Sequence, residues 1–206
     1  MRHTRIPLFP LDVVLLPGSS LPLHIFEPRY KKMIGRCLAE KIEFGMIYAT
    51  GKNVASVGCT AEIVLKMKDY PDGRMDILTR GRAAFRLLQL LQDADYHEGV
   101  VEYLSEELCP DDAQKNARIT RLLQECHILL YGQAWIDSEE ECEFSLAYRM
   151  AARLPMDLEQ KQWLLEMRAE NERCDFLEKW LGEFLPKLEH RQSARKRAAG
   201  NGHGPN

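Results

Sequence analysis

The chain has 206 residues and 23.8 kDa, room for one large domain or two small ones packed together. Its composition, 45% hydrophobic and 29% charged, is that of a folded protein, and no apolar run exceeds four residues, which excludes a transmembrane helix. The net charge of −3 hides a split: residues 1–100 carry 14 basic and 11 acidic side chains, residues 101–189 carry 10 and 20, and residues 190–206 carry four basic and none acidic, so the acidic second half argues against a nucleic-acid partner, which needs a sustained basic surface.

Five of the ten prolines fall in the first 28 residues. Proline fixes φ and removes a backbone donor, so this opening is expected to form short extended pieces, Ile6 to Leu8 and Leu21 to Phe26, and no long central strand. A turn is expected at Pro17-Gly18. Arg2 and Arg5 precede an apolar stretch broken by Pro7, Pro10, Asp12 and Pro17, so no secretory signal is expected and the chain reads as soluble and cytoplasmic. Pro28 suits the first turn of a helix running to about Glu40, with Tyr30, Met33, Ile34, Cys37 and Leu38 as its apolar stripe.

From Phe44 to about Leu104 the pattern is that of strands. Phe44 to Ala49 is one, ending in Thr50-Gly51. Gly58 to Tyr70 and Met75 to Arg82 flank Pro71-Asp72-Gly73, a strong hairpin turn. Ala83 to Leu91 and Tyr96 to Leu104 continue the meander, with a bulge expected at Gly99. After Cys109-Pro110 the period becomes helical. Ile119, Leu122, Leu123, Cys126, Leu129 and Leu130 share one face of a helix starting near Asp112. Ser138 with Glu141 is a capping box for a helix whose inner face is Phe144, Ala147, Met150, Ala151 and Leu154, ended by Pro155. Asp157 with Gln160 caps the next helix, through Trp163 and Leu164. Cys174, Leu177, Leu181 and Leu185 mark a last, long one. The fold expected is α+β: a β subdomain at 1–108 with one embedded helix, a helical subdomain at 109–189, and a disordered basic tail at 190–206.

No assembled chemistry emerges from the motifs. Gly45…Gly51-Lys52-Asn53 imitates a phosphate loop with one residue too many, and with Asn53 where a magnesium-binding hydroxyl is needed. Gly18-Ser19-Ser20-Leu21-Pro22 lacks the final glycine of a nucleophile elbow. His97-Glu98 has Val101 where a zinc-protease helix requires a second histidine. Ser193-Ala194-Arg195-Lys196 lies in the tail with nothing to desolvate its lysine. The cysteines, at 37, 59, 109, 126, 142 and 174, form no C-x-x-C pair and read as buried free thiols. No catalytic residue, cofactor or metal is expected.

Several ordered blocks carry a resemblance. They are Pro7-Leu8-Phe9-Pro10-Leu11, Pro17-Gly18, Pro22-Leu23-His24-Ile25-Phe26-Glu27-Pro28-Arg29-Tyr30, Phe44-Gly45, Gly58-Cys59-Thr60-Ala61-Glu62-Ile63, Tyr70-Pro71-Asp72-Gly73-Arg74, Gly81-Arg82-Ala83-Ala84-Phe85-Arg86 and Tyr96. In the second half they are Leu154-Pro155-Met156, Glu159 to Glu166, and Arg173. Over residues 5–188 the chain resembles the Lon protease substrate-binding (N-terminal) domain family, as a stand-alone member without the ATPase and peptidase modules. The resemblance implies a PUA-like β-barrel followed by a helical bundle. It also implies a non-catalytic module that recognises unfolded or tagged polypeptides, an adaptor for proteolysis or quality control, with a separate ATP-dependent protease as a further partner. An RNA-binding PUA-like protein is the alternative. Of the signature residues Pro22, His24, Phe26, Glu27, Arg29 and Tyr30, structural roles are expected: Glu27 capping the helix, Arg29 forking onto carbonyls or an acid across the barrel, Phe26 and Tyr30 packing strand to helix. The candidate polypeptide surface is Leu15 and Leu16 in the Pro-rich opening, with Tyr70 and Pro71 of the hairpin.

Overall fold

Alternating apolar residues and a strong turn build the longest hairpin of the molecule. In the computed structural model, which describes residues 3–51, 53–91, 95–107, 112–136 and 143–200, β4 (Asn53–Asp69) and β5 (Met75–Leu91) are 17 residues each. They meet at Pro71-Asp72-Gly73, where Gly73 takes φ +78° and its N–H donates to the Tyr70 carbonyl at 2.9 Å. The separate strands expected on either side of Arg82 are one continuous β5.

The sheet also contains β1 (His3–Leu11), β2 (Ser20–Ile25), β3 (Phe44–Thr50) and β6 (Glu98–Tyr103), in the order β2-β5-β4-β3-β1-β6. The first half of β5 carries β2 and its second half pairs with β6, so the pairings run in a circuit β5–β4–β3–β1–β6–β5. Here β1 corrects the expectation for the opening: despite Pro7 and Pro10 it is a nine-residue strand inside the sheet. Its two halves use different neighbours, His3–Pro7 antiparallel to β6 and Leu8–Leu11 parallel to β3. Each proline therefore has a ladder on one flank only, where a missing donor is tolerated. Gly99 is regular in both of its ladders, and the register shift falls on β5 between Leu87 and Gln89. The absent side chain at Gly99 instead admits Leu8, whose Cδ1 lies 2.6 Å from where a Cβ would stand.

Helix α1 (Pro28–Glu40) follows β2 and buries Tyr30, Met33, Ile34 and Cys37. After β6 come α2 (Ala113–Tyr131), α3 (Leu146–Arg153), α4 (Leu158–Glu166) and α5 (Glu170–Gly200). Asp112 caps α2 through the Lys115 N–H, and the Asp157–Gln160 capping box of α4 is complete in both directions. Ser138, Glu141, Cys109, Pro110 and Cys142 lie outside the described residues. Ser145 caps α3, and Phe144, expected on the inner face of that helix, precedes it and packs over Gly18. Helix α5 takes in residues 190–200, the start of the tail expected to be disordered. Ala, Arg, Lys and Gln favour helix there, and the Gln192 amide donates to the Leu129 carbonyl of α2.

One buried cluster joins side chains of the sheet and α1 (Phe9, Ile34, Phe44, Ile77) to those of the helices (Ile119, Leu123, Leu164, Leu177, Leu181). A second lies on the inner side of the strand circuit: Ile6, Leu8, Ile47, Phe85 and Val101. The opening loop docks on the sheet through backbone hydrogen bonds, Gly81 N–H to Ser19 and Gly18 N–H to Gly81, both 2.9 Å. A Cβ on Gly81 would fall on the Leu16 carbonyl oxygen. Gly81→Ala should therefore lift this loop and lower stability by about 1–3 kcal/mol, as overpacking against rigid backbone does. A urea midpoint equal to that of the parent would refute this.

The described cysteines, Cys37, Cys59, Cys126 and Cys174, are buried free thiols. Burial pushes Cys37 and Cys126 up to about 11 and Cys174 to about 12, from an ordinary 9.0, and raises Cys59 as well. The native thiols stay protonated where unfolded ones ionise, so their contribution to stability is complete below pH 9 and is lost as pH rises through about 11–12. The melting temperature should fall across that window. At pH 8 these four thiols should resist iodoacetamide until urea is added; labelling of the native protein at any of them, read by peptide mass, would contradict the burial.

Candidate functional site

Where β5 leaves the circuit, its first half forms a three-stranded extension with β2 on one side and the end of β4 on the other. One face of the extension is inward: Met75, Ile77 and Thr79 are buried. The register fixes what stands on the other face, because cross-strand partners share a side. Pro22 pairs with Leu78 and Leu78 with Leu65; His24 pairs with Asp76 and Asp76 with Lys68. The outer face is thus an apolar row, Pro22–Leu78–Leu65, beside a polar one.

Aromatic groups close the polar end. His24 Nδ1 faces Asp76 Oδ1 at 2.5 Å, and the Tyr70 hydroxyl donates to Asp76 Oδ2 at 2.9 Å. The His24 hydrogen bond, then that of Tyr70, holds the Asp76 carboxyl below the usual carboxylate range. Phe26 stacks on His24 with centroids 6.1 Å apart, and Tyr70 meets His24 edge-on at 5.7 Å. Lys68 and Arg74 sit over the Tyr70 ring at 4.5 and 5.0 Å. The hydroxyl in this cluster serves Asp76, not His24, so the group does not form a nucleophile with its base. Among the described residues, no three His, Cys, Asp or Glu side chains gather as metal ligands.

Large apolar side chains are exposed here: Phe26 at 58%, Leu65 at 54%, Met67 at 46% and Val64 at 45%. Exposed apolar side chains grouped on one extension make it a candidate interaction surface. A separate cleft of about 650 Å³ between α1, β1 and Phe144 is lined by Ile6, Ile42, Tyr103 and Phe144 together with Arg5, Arg36, Arg82, Glu40 and Glu43; its charges are of mixed sign.

The structure brings together Pro22, His24, Phe26, Tyr70 and Pro71, the last exposed at the hairpin tip. It separates the others. Leu15 and Leu16 belong to the core, 4% and 1% exposed, because the Ser19 hydroxyl and Gly81 fold their loop inward, so they are not part of an exposed surface. Glu27 makes no side-chain cap; its carboxylate takes the Arg29 guanidinium at 2.9 Å, and its backbone carbonyl receives the Tyr30 and Lys31 N–H groups. Arg29 thus pairs locally, not across the sheet, and lies over the Tyr30 ring at 4.5 Å. Tyr30 does pack strand to helix, 4.1 Å from Phe9, whereas Phe26 points outward. Sequence reasoning missed Leu65, Met67 and Leu78. The signal for them was the Leu65-Lys66-Met67-Lys68 run, in which apolar residues recur at spacing two beyond the last partner of β3.

No helix among the described residues is long and apolar enough to cross a membrane. The family model of the ATP-dependent protease La (LON) substrate-binding domain matches residues 5–182. The Lon protease of Buchnera aphidicola is 27% identical over 84% of this chain and 24% of its own length; that of Escherichia coli is 26% identical over 94% and 26%. The chain spans about a quarter of the length of these relatives. A Lon N-terminal domain protein from Xanthomonas campestris superposes with a TM-score of 0.65 at 26% identity, covering 86% of this chain and 98% of that one. The N-terminal domain of a Mycobacterium avium complex Lon protease gives 0.68 at 18% identity, over 87% and 98%, a likeness of fold.

Proposed function

The chain belongs to the ATP-dependent protease La (Lon) substrate-binding domain family, and from that premise we propose that it is a non-catalytic, cytoplasmic module that recognises unfolded or tagged polypeptides, an adaptor for proteolysis or quality control. The observation that carries this reading is the exposed outer face of the β2–β5–β4 extension, where Pro22, Phe26, Leu65 and Leu78 offer apolar contact to a chain that has lost its own core. The circuit of strand pairings supports a PUA-like barrel for the β half.

The test is titration of the chain with reduced, carboxymethylated lysozyme, which cannot refold, and with native lysozyme. Binding of the unfolded form alone is expected, of micromolar order, since a small apolar surface must offset the ordering of a flexible chain. It should vary little with salt and weaken about tenfold in Phe26→Ser, which removes an already exposed ring. Equal binding of native and unfolded forms would refute the reading. Binding of RNA that falls log-linearly with salt, without affinity for unfolded chains, would establish the alternative.

A further inference from the structure

We propose that α5 pairs antiparallel with the α5 of a second copy of the chain, through the face that carries Glu172, Phe176, Lys179, Trp180, Glu183 and Lys187. The interface lies on the helical half and is independent of the polypeptide-recognition reading.

One side of α5 is fully engaged. Cys174, Leu177, Leu181 and Leu185 are buried, and toward α2 Asp175 pairs with Lys115 at 2.6 Å and Glu178 with Arg118. The other side differs. With about 3.6 residues per turn, Glu172, Phe176, Lys179, Trp180, Glu183, Lys187 and His190 share it. Phe176 and Trp180 are half-buried, and Trp163 of α4, edge-on to Phe176 with centroids 6.4 Å apart, is 47% exposed. Lys179 stands four residues before Glu183, and Glu183 four before Lys187, the spacing of helical ion pairs. Yet among the described residues none of these three, nor Glu172, makes an ion pair or a side-chain hydrogen bond.

The order of signs selects the occupant. Along this face it runs Glu172, Lys179, Glu183, Lys187, His190. Reversed about the level of Leu181, Lys179 falls opposite Glu183 of the second copy and Glu172 opposite His190. Lys187 falls opposite Phe176, whose ring attracts a cation. Each contact occurs twice, as in any isologous pair. The two Trp180 indoles meet near the axis and supply an apolar centre. Arg191, beside this face, falls opposite the end of α4, where Glu166 flanks Trp163; Glu159, on the far side of Trp163, remains at the rim. A parallel pair would set each charge against its own copy. An unrelated helix would have to reproduce this order of signs, which a second copy already carries.

Sedimentation velocity of the full chain over a range of concentrations measures the pairing. A dimer that weakens as salt rises is expected. Glu183→Lys and Lys179→Glu each set like charges opposite one another at two contacts, and each should weaken the dimer about tenfold or more. The chain carrying both reversals has unlike charges opposite again and should dimerise within about threefold of the parent. An equimolar mixture of the two single variants should recover the dimer in the same way, as a heterodimer. Both positions are exposed, so circular dichroism should match the parent. A chain that stays monomeric, or a dimer that the single reversals leave intact, overturns the proposal. A dimer that they weaken, and that neither the double reversal nor the mixture restores, overturns the antiparallel register. Unfolded lysozyme should bind the parent and these variants alike, so the failure of this interface leaves polypeptide recognition standing.

Discussion

Arg173→Met should lower the unfolding free energy by about 3 kcal/mol, the lower end of what removing one partner from a buried ion pair costs. Arg173 is 1% exposed and holds the helices to the end of the sheet. Its guanidinium donates to Glu106, which follows β6, to Glu170 at 2.9 Å and to the Met167 carbonyl at 2.8 Å, and it lies 4.4 Å over the Tyr148 ring. Methionine fills the volume but leaves that carbonyl without its donor. The cost stays at the low end because Glu170 keeps the Ser145 hydroxyl and the Ala147 N–H, and the Glu106 side chain is 56% exposed, so water can take up what remains. Arg173→Lys keeps the charge and loses the fork, and should recover about half. Glu106→Gln, at the exposed end, should cost less than about 1 kcal/mol. Urea unfolding of the three variants measures this. A loss below about 1 kcal/mol for Arg173→Met would mean that the halves are held by apolar packing alone.

Helix α1 was legible from its period and α4 from its caps, whereas the Glu27 cap expected for α1 is absent and α3 starts at Leu146, after Phe144. Tyr30, Met33, Ile34 and Cys37 form one stripe, and Asp157 with Gln160 forms the expected box. The Pro71-Asp72-Gly73 hairpin was legible for a similar reason, since its turn conformation is local. The opening strand was not. Two prolines argue against a central position under any rule that counts neighbours by strand. The exception exists because β1 changes partners at Leu8, a fact of topology that local sequence does not carry.

The candidate site was legible in part, along the same line. Tyr70 and Pro71 follow from the turn. Pro22, His24 and Phe26 share a face with them only because β2 pairs with β5 over Ser20–Ile25, a contact spanning more than fifty residues of chain. Leu15 and Leu16 look like a sticky loop until Gly81 is seen to accept it. Arg173 is the buried charge of a helix in which Glu172, Asp175, Lys179 and Glu183 are exposed, and no single-helix pattern marks it.

The second cluster is where sequence and packing are most tightly coupled. Phe85 is fully buried, and its ring occupies space left by two glycines: a Cβ on Gly58 would stand 2.5 Å from Phe85 Cζ and 2.5 Å from the Met46 carbonyl oxygen, and one on Gly45 would stand 2.8 Å from the same Cζ. Phe85→Ala should therefore cost about 3–5 kcal/mol, because the strands around the ring are tied by their ladders and cannot collapse into the void. Phe85→Leu leaves less empty volume and should cost roughly half as much. Gly58→Ala attacks the same contact from the other side and should cost about 1–3 kcal/mol. Combining it with Phe85→Leu should recover only part of that loss, since the smaller side chain relieves the ring contact while the Met46 carbonyl remains in place. Unfolding free energies of the four proteins test the coupling. Strict additivity of Gly58→Ala and Phe85→Leu would mean that the glycine is required by the backbone of β3 alone, and that the ring merely lies nearby.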